Sequence, residues 1–107
     1  MRIIARRTLR LFVDSLEGRK DQPAVKAALA AWFDEVSKAQ WSGSADVKRL
    51  YATASIVSAE RVVFNIKGND YRLVVSVDFE KAIVWIKWIG SHRDYDAIDV
   101  KEIRHGQ

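Results

Sequence analysis

The stretch Arg61-Val62-Val63-Phe64-Asn65-Ile66-Lys67-Gly68-Asn69-Asp70-Tyr71-Arg72-Leu73-Val74-Val75-Ser76-Val77-Asp78, continued by Ile83-Val84-Trp85-Ile86-Lys87-Trp88-Ile89, decides the fold. β-Branched and aromatic residues dominate Val62 to Ile66, Tyr71 to Val77 and Ile83 to Ile89, as they do in strands. Gly68-Asn69 is a hairpin-turn signal, and Glu80-Lys81 is the expected second turn. These turns set registers in which Ile66 faces Tyr71, Asn65 faces Arg72, Ser76 faces Trp85, Val74 faces Lys87 and Arg72 faces Ile89. Side chains alternate faces along a strand. One face then carries Phe64, Ile66, Leu73, Val75, Val77, Val84, Ile86 and Trp88, the expected core. The other carries Asn65, Lys67, Arg72, Ser76, Trp85 and Lys87.

Working outward, the period changes from two to 3.6 in the N-terminal half. Arg2 to Ile4 reads as a short first strand. Leu9, Phe12, Val13 and Leu16 recur at helical spacing, and Gly18 stops that helix. Pro23 sits where a first helical residue belongs, and Val25, Ala28, Leu29, Trp32 and Val36 form an apolar stripe running to about residue 38. Ser42-Gly43-Ser44 is a loop, and Ala45 to Tyr51 suits a short turn of helix. Trp41 receives no role. Ser91 with Asp94 three residues on is a capping-box variant, so a short final helix is expected. Helices first and hairpins last give an α+β domain: a small twisted antiparallel sheet with two N-terminal helices on one face and a short C-terminal helix. At 107 residues, one domain over 1–107 is expected.

Composition narrows the chemistry. No apolar run reaches the roughly 18–20 residues that span a bilayer, and the basic N-terminus lacks a signal-peptide apolar segment. A cytoplasmic protein without membrane contact is the expectation. There are no cysteines, which rules out disulfides, thiolate metal sites and cysteine nucleophiles, and His92 and His105 are too few for a histidine cage. No cofactor and no metal are expected. The net charge of +4 lies in residues 1–51, which hold 10 Lys and Arg against 6 Asp and Glu; the remainder is neutral. A basic balance suits an anionic partner such as nucleic acid, although solubility alone also explains it.

Three cations, Lys67, Arg72 and Lys87, share the second sheet face on adjacent strands and would repel one another. Such a face is either simply solvated or suited to an anion. Arg72 is the most informative, because the reading puts it mid-way along the central strand. His92 and Tyr95 lie just past the last strand, and their spacing puts them on one side of the final helix. Taken alone, they read as a surface histidine and a packing tyrosine. Arg2, Arg6, Arg7 and Arg10 form a basic N-terminal cluster, either a solvated helix face or a contact to folded RNA.

Two segments also carry a resemblance. The run Phe64-Asn65-Ile66-Lys67-Gly68-Asn69-Asp70-Tyr71-Arg72-Leu73 and the run Ile89-Gly90-Ser91-His92-Arg93-Asp94-Tyr95-Asp96 together resemble HigB-type toxins of the wider RelE/ParE-like superfamily. The N-terminal half matches more loosely. The resemblance implies a type II toxin that cleaves messenger RNA in the ribosomal decoding site. It also implies a helix-turn-helix antitoxin of the HigA type as partner, with operator DNA met only through that antitoxin. By the same resemblance Arg72, His92 and Tyr95 are the catalytic candidates, and Asn65, Lys67, Lys87 and Arg93 the RNA-binding ones. No glutamate matches the general base of some relatives.

The chemistry asks little of the protein, because RNA supplies its own nucleophile, the 2′-OH. Arg72 suits the phosphate, since a guanidinium meets two phosphate oxygens at once. His92 is the candidate for proton transfer, the role an imidazole most often takes in such chemistry. Tyr95 would orient or stack a base. Two rival readings remain: a non-catalytic RNA-binding module, and a gyrase-inhibiting toxin on the same fold.

Overall fold

In chain order the elements are β1 (Arg2–Ile4), α1 (Arg6–Ser15), α2 (Gln22–Lys38), α3 (Ser44–Leu50), β2 (Ser55–Ile56), β3 (Arg61–Ile66), β4 (Tyr71–Asp78), β5 (Ile83–Ser91) and α4 (His92–Tyr95). The computed structural model describes residues 1–98, so His105 and the end of the expected 1–107 domain lie outside the described residues. Among the described residues no helix is long and apolar enough to cross a membrane.

The two helical stripes do what their spacing predicts. Leu9 and Leu16 of the first, and Val25, Leu29, Trp32 and Val36 of the second, are buried in one cluster with Phe64, Ile66, Leu73, Val75, Val77, Val84 and Ile86. Helix α2 starts with Pro23 in its first turn, where the missing N–H leaves no bond unmade. Gly18, at φ +85°, supplies the left-handed residue that turns the chain from α1 towards α2. Phe64 is the centre of the core. Trp32 and Tyr51 meet its ring edge-on at centroid distances of 5.4 and 5.1 Å, and Trp41 stacks on it at 6.3 Å. Trp41 thus has a role the sequence did not reveal: it and Val47 of α3 close the end of the core.

The sheet departs from expectation in three ways. Its order is β1-β5-β4-β3-β2, with β1 parallel to β5 and the other pairs antiparallel, so the sheet is mixed and five-stranded. A parallel pair needs a long crossover, which α1 through β4 provide. The short β2 escapes sequence reading because two residues carry no periodicity.

The third departure matters most. Asn65 pairs with Arg72, Ile66 with Tyr71 and Ser76 with Trp85, as expected. Between Val74 and Val75, however, the register against β5 shifts: Val75 pairs with Ile86 but Val74 pairs with Trp88, and Arg72 meets Gly90 rather than Ile89. Lys87 is the extra residue of a β-bulge. One inserted residue reverses the facing of all that follows. Trp88 therefore leaves the core face, where alternation had put it, and Ile89 takes that place in the core cluster.

Candidate active site

The face opposite the helices carries, across β3, β4 and β5, the rows Arg61–Ser76–Trp85, Val63–Val74–Trp88 and Asn65–Arg72–Gly90. Arg72 lies on this face, as the alternation requires, but at the N-terminal end of the central strand rather than mid-way along it. The β3–β4 turn sets its position. Its Nη2 donates to Asn69 Oδ1 at 2.6 Å and its Nη1 to the Asn69 carbonyl at 3.0 Å. The guanidinium is thus held in a fixed direction beside Asn65 while remaining half-exposed. Tyr95 comes over from α4, its ring centroid 6.0 Å from the Arg72 guanidinium carbon and 6.2 Å from the Trp88 ring. Helix α4 is started by Ser91, whose Oγ accepts the Asp94 N–H at 3.1 Å, as the capping pattern predicted.

The other sequence candidates disperse. Lys67 belongs to the turn, not to the strand. Its φ of +52° is left-handed, so alternation ends at Ile66, and its Nζ forms a 2.8 Å ion pair with Asp70. The hydrogen bond to Asp70 and that carboxylate's charge raise the Lys67 pKa above its ordinary value. Lys87 sits in the bulge, half-buried. The expected cluster of three free cations on one face is therefore reduced: Lys67 is neutralised locally, and Lys87 is displaced by the register shift.

His92 and Tyr95 do not share surroundings. Whereas Tyr95 packs towards Trp88, His92 borders a cleft of about 450 Å³ at the end of the sheet. Its Nε2 lies 3.6 Å from Asp96 Oδ2, an i,i+4 pair that is ionic when the imidazole is protonated. Arg93 lines the same cleft, as do Arg19, Asp21, Asn69 and Tyr71. Asn69 thus touches both regions, holding Arg72 on one side and bordering the cleft on the other.

The cleft floor contains a network the sequence reading missed. The buried Tyr71 hydroxyl donates to Asp21 Oδ2 at 2.5 Å, and Arg19 Nε donates to Asp21 Oδ1 at 3.0 Å. The Arg19 hydrogen bond, with that from Tyr71, lowers the Asp21 pKa to about 2. Burial, then the Asp21 carboxylate, raises that of Tyr71, so its proton stays on the phenol and is donated. The signal was present in Arg19-Lys20-Asp21 just after Gly18, but only the tertiary packing of Tyr71 reveals it. Trp88 and Asn69 were also missed as functional candidates; the bulge and the turn geometry hid them.

The mixed five-stranded sheet and the helices described are consistent with a RelE-like fold. The family described as HigB_toxin, RelE-like toxic component of a toxin-antitoxin system, matches residues 25–98. The chain belongs to this family. The match runs from Val25, within α2, through α4 and so includes all of the open face contributed by β3, β4 and β5. No curated protein matches the chain.

Proposed function

We propose that this toxin acts as a ribosome-dependent endoribonuclease, cutting messenger RNA and so stopping translation. The single observation that carries this reading is Arg72: a guanidinium fixed by Asn69, half-exposed, beside Asn65 and against the ring of Tyr95. In the reaction the 2′-oxygen loses its proton to a base and attacks the adjacent phosphorus. The bond to the 5′-oxygen breaks, that oxygen takes a proton, and a 2′,3′-cyclic phosphate remains. Negative charge grows on the phosphate oxygens, where a preoriented guanidinium stabilises the transition state more than the ground state. Arg72 has that role. His92, with Asp96 as its partner, moves the proton, and Tyr95 places the substrate. Asn65, Lys87 and Arg93 contact the RNA; Lys67 joins them by exchanging Asp70 for a phosphate. The 2′-OH is the nucleophile, so the chemistry requires no metal.

The toxin role implies an antitoxin, and we propose a helix-turn-helix protein of the HigA type acting in the cytoplasm, through which operator DNA is met. The test is cleavage of a defined transcript on programmed ribosomes, with growth arrest on expression and its relief by the neighbouring gene product. His92→Ala is expected to slow cleavage and to alter its pH profile. Parental cleavage by a folded Arg72→Ala variant overturns the assignment of this face. Binding of the transcript without cleavage by the parent protein favours a non-catalytic RNA-binding module instead.

A further inference from the structure

Trp88 stands on the open face because Lys87 is inserted ahead of it. Its indole does not project freely. A Cβ built on Gly90 would lie 2.5 Å from Trp88 Cη2 and 2.6 Å from Cζ2, so the benzene ring of the indole lies directly over the Gly90 backbone. Only glycine at position 90 permits this without displacing the ring. Tyr95 flanks the indole at 6.2 Å, with the planes inclined by 52°. The same Tyr95 ring lies 6.0 Å from the Arg72 guanidinium carbon, and Arg72 itself pairs across the strands with Gly90, the residue the indole covers. The indole is partly exposed, and among the described residues the buried side chains of α1, α2 and α3 all belong to the core on the other face, while α4 reaches this face through Tyr95.

We propose that Trp88 is the stacking platform for a nucleobase of the single-stranded RNA, the base adjoining the phosphate that Arg72 holds. This rests on the reading of the open face as the RNA-cleaving site. A flat aromatic surface next to a phosphate-binding cation is the combination by which proteins hold single-stranded RNA, because every base has a π-face and every linkage a charge. Cleavage by the 2′-OH adds a geometric demand: the attacking oxygen, phosphorus and leaving oxygen must come into line. A helical stack holds them out of line, so a base must be drawn aside and kept there. Trp88 supports that base, and Gly90 keeps the indole flat against the sheet. Trp88 acts on the rate by positioning, not by proton or charge transfer.

A simpler role for the indole is to cover the buried Val74 and Val63. Two substitutions separate the alternatives, since leucine keeps an apolar cover but has no π-face, whereas phenylalanine keeps both. Single-turnover cleavage of a programmed ribosome's transcript is measured at saturating toxin for Trp88→Leu, Trp88→Phe, Gly90→Ala and Arg72→Ala, with melting temperature as the fold control. Trp88→Leu is expected to lose roughly 5- to 150-fold in saturating rate, the value of one base–aromatic stack, while Trp88→Phe stays within a few-fold of the parent. Gly90→Ala is expected to fall between them, because the indole must tilt. Parental cleavage by Trp88→Leu alongside an inactive Arg72→Ala overturns the platform and leaves the active-site reading intact, as does an equal loss in the Leu and Phe variants. Parental cleavage by Arg72→Ala overturns both.

Discussion

Phe64 and Arg72 lie on neighbouring strands but on opposite faces of one sheet, and they are held by different means. Phe64 is 1% exposed and enclosed by three aromatic rings, from α2, from the loop after it and from Tyr51 just past α3. Nothing about it depends on direction except packing. Arg72 is half-exposed, and the hydrogen bonds it donates to Asn69 of its own hairpin turn fix where its charge points. The helix-covered face is specified by volume and hydrophobicity, the open face by turn geometry and an inserted residue. Stability and chemistry are therefore separable by substitution.

The largest expected effect is on the covered face. Phe64→Ala removes a buried ring from a site with little room to collapse and should cost about 3–5 kcal/mol in urea unfolding. A domain of this kind holds only about 5–15 kcal/mol in total, so the variant should be partly unfolded at 37 °C. A loss under about 1 kcal/mol would mean that the aromatic cluster is not the centre of the core. Next comes Arg72→Ala, expected to reduce ribosomal cleavage by about 100- to 1000-fold, as for other preorganised charge donors. Its unfolding free energy should stay within about 0.5 kcal/mol of the parent, the range for surface substitutions. If Arg72→Ala instead destabilised as Phe64→Ala does, the separation of the two faces would fail.

The faces also differ in how legible they were. The covered face follows from alternation, because burial penalises every polar exception, and Phe64, Ile66, Leu73, Val75, Val77, Val84 and Ile86 were readable, although Val62 and Tyr71 of the same cluster went unnamed. Beyond Ile86 alternation fails: Ile86 and Ile89 are both in the core, three residues apart, a spacing that period two cannot supply. That odd interval marked the bulge in the sequence, but the apolar Trp88 concealed it by suiting the core equally well. Arg72 was legible because β3 and β4 pair without interruption. Lys67 was misread because a left-handed lysine in a turn has no distinctive sequence signal. The Asp21–Tyr71 contact joins residues 50 apart, and no local pattern encodes it. Short β2 and the parallel pairing of β1 depend on the whole sheet being assembled.

A smaller effect tests whether Tyr95 owes its place to α4. Ser91→Ala removes the side-chain acceptor for the Asp94 N–H, a change that typically costs about 1 kcal/mol of local helix stability. Helix α4 has only four residues, so it should fray. Cleavage is expected to fall about fivefold with little change in melting temperature, since that energy corresponds to about 0.7 of a decade. Ser91→Thr, which restores the acceptor, should recover the rate. Parental cleavage by Ser91→Ala would show that Tyr95 is placed by Trp88 and not by the cap.

The smallest effect concerns the junction between the faces, where Asp21 ties the α1–α2 turn to Tyr71 at the sheet end. The folded pKa of Asp21, about 2, lies below the ordinary 3.8, because Arg19 and Tyr71 donate to the carboxylate. A carboxylate whose pKa is lowered on folding stabilises the fold above its unfolded pKa and loses that contribution as pH falls through the folded one. The stability Asp21 provides should be complete above about pH 4 and gone near pH 2. Asp21→Asn accepts hydrogen bonds but carries no charge and does not titrate. The parent should therefore be the more stable at pH 6, and the difference should shrink steadily between pH 4 and 2, as read by urea midpoints. Arg19 and Asp21 are both solvent-accessible, so added salt should reduce the difference at pH 6 as well. A gap between parent and Asp21→Asn that stays constant from pH 6 to pH 2 would mean that Asp21 acts through its shape at the turn and not through its charge.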